Sequence, residues 1–151
     1  MKLKFILIAL FVAFATQAQT ITQEGLLGKW HMAKFEMDGV FFNFETAQVT
    51  AGNGTTLSPE EVKQLKEELT GAVAEQLKSN TMTFKPGGKV IMAEGEKSQE
   101  VQYTLSNKED KQTLVVKVPE EMVFFVAIKD NFLELTINGH NPITMYLKKD
   151  K

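Results

Sequence analysis

The chain has 151 residues, no cysteine and a formal charge of −2 at pH 7, and each of its 17 basic residues is a lysine. Slight acidity without arginine excludes a nucleic-acid binder, whose phosphates need clustered positive charge. The absence of cysteine excludes disulfides and thiol chemistry, so the fold must rest on packing alone.

The first segment, Met1 to Gln19, carries Lys2 and Lys4, an unbroken apolar run from Phe5 to Ala15, then Thr16-Gln17-Ala18-Gln19. That order predicts a secretory signal peptide over residues 1–18, cut after Ala18 or one residue later. The apolar run falls short of the roughly 20 residues of a spanning helix. The expected product is a soluble periplasmic or secreted protein, residues 19–151, with no stable membrane insertion and no lipoprotein cysteine. About 130 residues suit one domain with a proper core.

Leu26 to Met37 predicts the first strand, and Val40 to Phe44 an aromatic-rich extension beyond the Asp38-Gly39 turn. Ala47 to Thr56, with Gly52-Asn53-Gly54, reads as a mobile loop. Ser58-Pro59-Glu60-Glu61 then supplies a capping serine, a first-turn proline and a glutamate three residues after the cap, the start of a helix over Ser58 to Lys78. Val62, Leu65, Leu69, Ala72, Val73 and Leu77 give it one apolar face. Gly71 weakens its middle by about 1 kcal/mol relative to alanine, and permits either close packing or a bend.

From Thr81 onward short strand patterns alternate with turn residues: Thr81 to Lys85, Lys89 to Glu94, Glu100 to Leu105, Thr113 to Val118, Met122 to Lys129, Phe132 to Asn138 and Ile143 to Lys148. Val101/Tyr103/Leu105, Leu114/Val116/Val118 and Leu133/Leu135/Ile137 alternate with polar residues at period two, so those strands bury one face. Met122 to Ile128 is apolar throughout, which predicts cover on both faces, with the helix as the natural partner. Eight main strands in meander order must close on themselves or expose a reactive edge. The expected fold is therefore mostly β: an eight-stranded antiparallel up-and-down barrel with one amphipathic helix between its first and second strands.

The first strand opens on Gly28-Lys29-Trp30, and the last ends on Lys148-Lys149. A Gly-X-Trp at the head of an eight-strand meander resembles the calycin group, in particular small bacterial lipocalin-like domains that follow a signal peptide. The resemblance implies that Trp30 plugs one end of the barrel under a late basic residue, here Lys148 or Lys149, where these proteins usually carry arginine. It makes Gly28, Trp30, Lys148 and Lys149 a structural plug, and it implies a small apolar ligand inside the barrel.

Methionine and aromatic side chains suit an adaptable apolar pocket, although they equally suit a filled core. The expected ligand wall is Met32, Phe84, Met92, Tyr103, Phe124 and Met145. His31 and His140 are the two histidines and form no pair at metal-ligand spacing, so neither a metal nor another cofactor is expected. No serine sits in a nucleophile elbow, and the adjacent acids diverge on any regular element, so enzymatic activity is not expected. The expected function is noncatalytic binding of a small apolar molecule. The alternative is an interaction module for an envelope protein, with a filled interior and the Phe41-Phe42-Asn43-Phe44 edge or the helix as its grip.

Overall fold

The computed structural model describes residues 20–52, 54–108 and 111–151. The expected signal peptide lies outside the described residues, as does Asn53. In chain order the elements are α1 (Gln23–Leu26), β1 (Gly28–Met37), β2 (Val40–Asn43), β3 (Gln48–Ala51), α2 (Pro59–Glu68), α3 (Ala72–Ser79), β4 (Thr81–Lys85), β5 (Lys89–Glu94), β6 (Lys97–Lys108), β7 (Lys111–Lys117), β8 (Glu121–Lys129), β9 (Phe132–Ile137) and β10 (Ile143–Lys149).

Strands β4 to β10 pair in sequence order, each antiparallel to the next, and β1 joins β4 on one edge and β10 on the other. Eight strands thus close a barrel, as the meander requires. The edge of β1 that faces β4 serves two partners in turn because the strand is long. Its first half pairs with β4, Gly28 opposite Phe84 and His31 opposite Thr81. Its second half pairs with β2, Lys34 opposite Asn43 and Met37 opposite Val40. The register against β10 slips between Met32 and Lys34, leaving Ala33 as a bulge. A bulge bends its strand; past this one β1 continues along β10 as far as Met37 but exchanges β4 for β2 on its other edge, which adds a small β1–β2–β3 flap to the barrel wall. The segment expected to be a mobile loop contains β3, whose Gln48–Ala51 lies along β2. Its low apolar content conceals an edge strand, where little needs burying.

Two buried clusters follow from this bend. The larger fills the barrel and includes Leu26, Trp30, Phe84, Val90, Tyr103, Leu114, Val116, Phe124, Leu133, Leu135 and Leu147. The smaller joins Met32, Val40, Phe42 and Phe44 to Phe35, Val49, Val62, Leu65, Leu69, Ala74 and Leu77, which docks the helices on the flap. The helical segment between the first and second barrel strands is in two pieces. Ser58 caps α2 as expected: the Glu61 amide donates to Ser58 Oγ at 3.3 Å, and Ser58 N donates to Glu61 Oε2 at 2.7 Å. The Ser58 hydroxyl, which also donates to Glu61 Oε2 at 2.7 Å, and the Ser58 amide together hold the Glu61 pKa below its usual value. The single helix expected over Ser58 to Lys78 breaks after Glu68, because Gly71 adopts φ +75°, a conformation open to glycine and strained for other residues. The break resets the helical phase. Ala74 now turns inward, and Val73, expected on the apolar face, is 42% exposed.

The two-sided cover expected for Met122 to Ile128 is not there. Phe124 and Val126 point into the barrel, while Val123 is 49% exposed and Ala127 is also exposed. The helices do not reach β8, because their apolar residues are taken up by the adjacent flap. Phe125 is sheltered instead by a lysine, with Lys111 Nζ 5.3 Å from its ring centroid, and long lysine stems cover apolar surface well.

Candidate functional site: a methionine-lined barrel mouth

One end of the barrel is sealed. Leu26 O accepts a 2.7 Å hydrogen bond from Trp30 Nε1, so the buried indole has its donor satisfied and its ring free to pack. Lys149, opposite Trp30 in register, places its ammonium 5.4 Å from the ring centroid and 3.5 Å from Gly25 O. Gly28 has φ +114°, and a Cβ there would stand 3.0 Å from Lys149 Cε; both facts call for glycine beside the plug. Lys148 is not part of it. Strand alternation turns Lys148 outward, where Nζ meets Glu45 Oε1 at 2.8 Å, and that hydrogen bond lowers the Glu45 pKa. Next to the plug, His31 Nδ1 lies 2.6 Å from Asp150 Oδ1. The Gln112 side-chain amide clasps both backbone groups of Ile21, drawing the N-terminal segment over this end.

The opposite end is open, with a cavity of about 500 Å³. Its apolar wall includes Met32, Met82, Met92, Met122 and Met145, together with Phe124, Val118, Ile137 and Leu147. Each strand sends alternate residues inward, and these are the inward residues nearest the mouth; Met82 faces Met92 across β4 and β5. Polar groups gather on one arc of the rim, at Asn80, Thr81, Glu94, Lys97, Ser98 and Gln99. Helix α3 borders that arc, where Gln76 Nε2 donates to Glu94 Oε1 at 3.2 Å. A smaller cavity, about 140 Å³, lies between the flap and the helices, among Phe42, Phe44, Val49, Leu69 and Ala74.

Of the expected ligand wall, Met32, Met92, Phe124 and Met145 stand together around the large cavity. Phe84 and Tyr103 do not. They point inward too, but lie deeper, toward the plug, where Phe84 is level with Gly28 and its ring meets Tyr103 edge-on at 5.1 Å. Alternation along a strand fixes which face a residue takes and leaves its depth open. The Tyr103 hydroxyl is buried and meets no hydrogen-bond partner among the described residues, and desolvation pushes its pKa up. Met82, Met122, Val118 and Ile137 were not singled out as ligand wall; the inward phase of their strands was the available signal. Asn80, just before β4, had none.

Chemically the mouth can hold an apolar body and meet it with hydrogen bonds on one side. Among the described residues no three histidine, aspartate or glutamate side chains converge as a metal ion would require. On the outer wall Tyr146 Oη donates to Glu36 Oε2 at 2.8 Å, and burial, aided by that carboxylate, raises the phenol pKa. Of the three large rings expected at an exposed edge, Phe42 and Phe44 are buried in the flap cluster and only Phe41, 38% exposed, faces solvent. Comparisons of the chain with protein-family models, curated proteins and solved structures found no match.

Proposed function

We propose that this protein is an exported, lipocalin-like carrier that holds a small, mainly apolar molecule in the barrel mouth and performs no chemistry on it. The observation that carries this reading is the clustering of methionine. Seven methionines occur in the whole chain, and five of them line one cavity. Thioether side chains are flexible and polarisable, and they recur where a surface must adapt to a guest. The cavity volume, about 500 Å³, lies within the range of small-molecule sites, roughly 300–1,000 Å³.

Kinship with lipocalin-like domains is supported by the closed eight-strand barrel and by Gly28, Trp30 and Lys149 at its sealed end. Delivery to the periplasm or beyond rests on the pattern of Met1 to Gln19. Solubility is supported by the outer wall: Lys85 and Lys89 both pair with Glu100, at 3.1 and 3.3 Å, whereas a membrane barrel turns an apolar band outward. The noncatalytic reading is supported by the cavity lining, whose ionisable residues are Glu94 and Lys97, both exposed. A second reading, docking of an envelope protein, is favoured by one feature, the outer edge of β3, which pairs with no other strand among the described residues and lies beside exposed Phe41.

Native mass spectrometry of protein purified from its own host tests the choice. The carrier reading predicts a retained small organic molecule that is lost on denaturation. An empty chain that instead retains a protein partner would replace it with the docking reading.

A further inference from the structure

The chain has no cysteine, so its oxidisable sulfur is all thioether, and five of its seven methionines line one cavity that opens to solvent. Within that wall the methionines are not equivalent. Met32 and Met82 are each 7% exposed, whereas Met92, Met122 and Met145 are partly exposed at the mouth. Their surroundings differ as well. Met92 lies opposite Gln99 across β5 and β6, on the polar arc of the rim. Met122 on β8 and Met145 on β10 stand away from that arc, on a stretch of wall built from Val118, Phe124, Ile137 and Leu147, whose side chains carry no hydrogen-bond donor.

We propose that Met92, Met122 and Met145 form an oxidation site, and that a peroxide converts them to sulfoxides and so releases the apolar guest. This rests on the carrier reading and adds a means of regulation to the same site. With hydrogen peroxide, a thioether lone pair attacks one oxygen, the S–O bond forms and the O–O bond breaks. The departing hydroxide takes the proton from the new S–OH group and leaves as water. Sulfur is oxidised by two electrons and the peroxide is reduced by the same two. The product is a polar side chain where an apolar one stood, a change that disrupts methionine-rich surfaces. At Met92 the new oxygen has the Gln99 amide as a cross-strand donor. At Met122 and Met145 the wall offers none, and an apolar guest donates nothing. Closing the guest over those two sulfoxides strips them of water without replacing its hydrogen bonds, which is costly. The unoxidised wall carries no such penalty, so the same three side chains that adapt to the guest also set the condition for losing it.

The test treats the protein with hydrogen peroxide, maps the sulfoxides by peptide mass spectrometry, and follows binding of N-phenyl-1-naphthylamine by fluorescence before and after. Emission of Trp30 in the guest-free protein, from the sealed end, reports whether the barrel stays intact. Met92, Met122 and Met145 should gain oxygen before Met32 and Met82. Guest affinity should then fall at least about tenfold, the cost of burying one polar group unmatched, with Trp30 emission unchanged. The double variant Met122→Leu/Met145→Leu, a swap that nearly conserves volume, should bind the guest like the parent and keep its affinity through the same treatment, whereas Met92→Leu should lose it as the parent does. Sulfoxides on all three residues with affinity unchanged would overturn the proposal, as would oxidation confined to Met37, equal loss of affinity in the double variant, or a loss of binding that tracks a change in Trp30 emission. Any of these leaves the carrier reading standing. Failure of the untreated parent to bind the guest would overturn both.

Discussion

Trp30→Ala is expected to cost about 3–5 kcal/mol of folding stability, the range for truncating a large buried aromatic. The ring is 4% exposed, sits in the main cluster, and anchors Leu26 and Lys149 at the plug. Its removal leaves the Leu26 carbonyl without the indole donor, the Lys149 ammonium without its aromatic face, and a void at the sealed end. The neighbouring lysines separate packing from charge. Lys149→Ala should cost less, since a cation–π contact is worth about 0.5–2 kcal/mol. Lys148→Ala should cost least, because its pair with Glu45 is solvent-exposed and such pairs contribute about 0–1 kcal/mol. Urea melts of the three variants give the order directly. A Trp30→Ala protein as stable as the parent would mean that the sealed end does not depend on its plug, and would remove the main residue-level support for lipocalin-like kinship.

Phe42→Ala is expected to be of similar size, again about 3–5 kcal/mol, but with a different distribution. Phe42 is 2% exposed and lies at the centre of the flap cluster, its ring 6.1 Å from that of Phe35. Neither α2 nor α3 has a fully buried residue of its own, so both helices owe their placement to this shared cluster. Losing the ring should therefore free them first. Amide exchange over Val62 to Leu77 should accelerate well before that over β7 and β8, as expected when parts of one molecule open independently. Equal acceleration throughout would show that flap and barrel form one cooperative unit, against the two-cluster description.

The barrel itself was legible because period-two alternation and short turns leave a meander few options, and closure follows from the cost of free edges. The plug was legible from Gly28-X-Trp30, although only the register could choose Lys149 over Lys148. Three features depended on distances along the chain that local patterns do not carry. Past the bulge at Ala33, β1 takes on β2 and β3 as a flap, which was expected only as an extension and a loop. The flap takes the helices, which the uniformly apolar Met122 to Ile128 run had claimed by composition. Gly71 was recognised as a weak point, but its left-handed conformation, and with it the change of helical phase that exposes Val73, follows from tertiary packing. In the candidate site, the wall is read from residue type, methionine and aromatic, and four of the six chosen lie at the mouth. The misplaced pair, Phe84 and Tyr103, have the right face at the wrong depth.

The most direct test of the carrier reading is a nuclear magnetic resonance titration of protein labelled with ¹³C at the methionine methyls, using N-phenyl-1-naphthylamine as a neutral apolar guest. If the open end of the barrel is the binding site, the methyl signals of Met32, Met82, Met92, Met122 and Met145 shift together and saturate. Met37, which lies on the flap and outside the cavity wall, stays in place. Five unmoved cavity signals at saturating guest, or a shift confined to Met37, would contradict the claim that this cavity is where the protein holds its ligand.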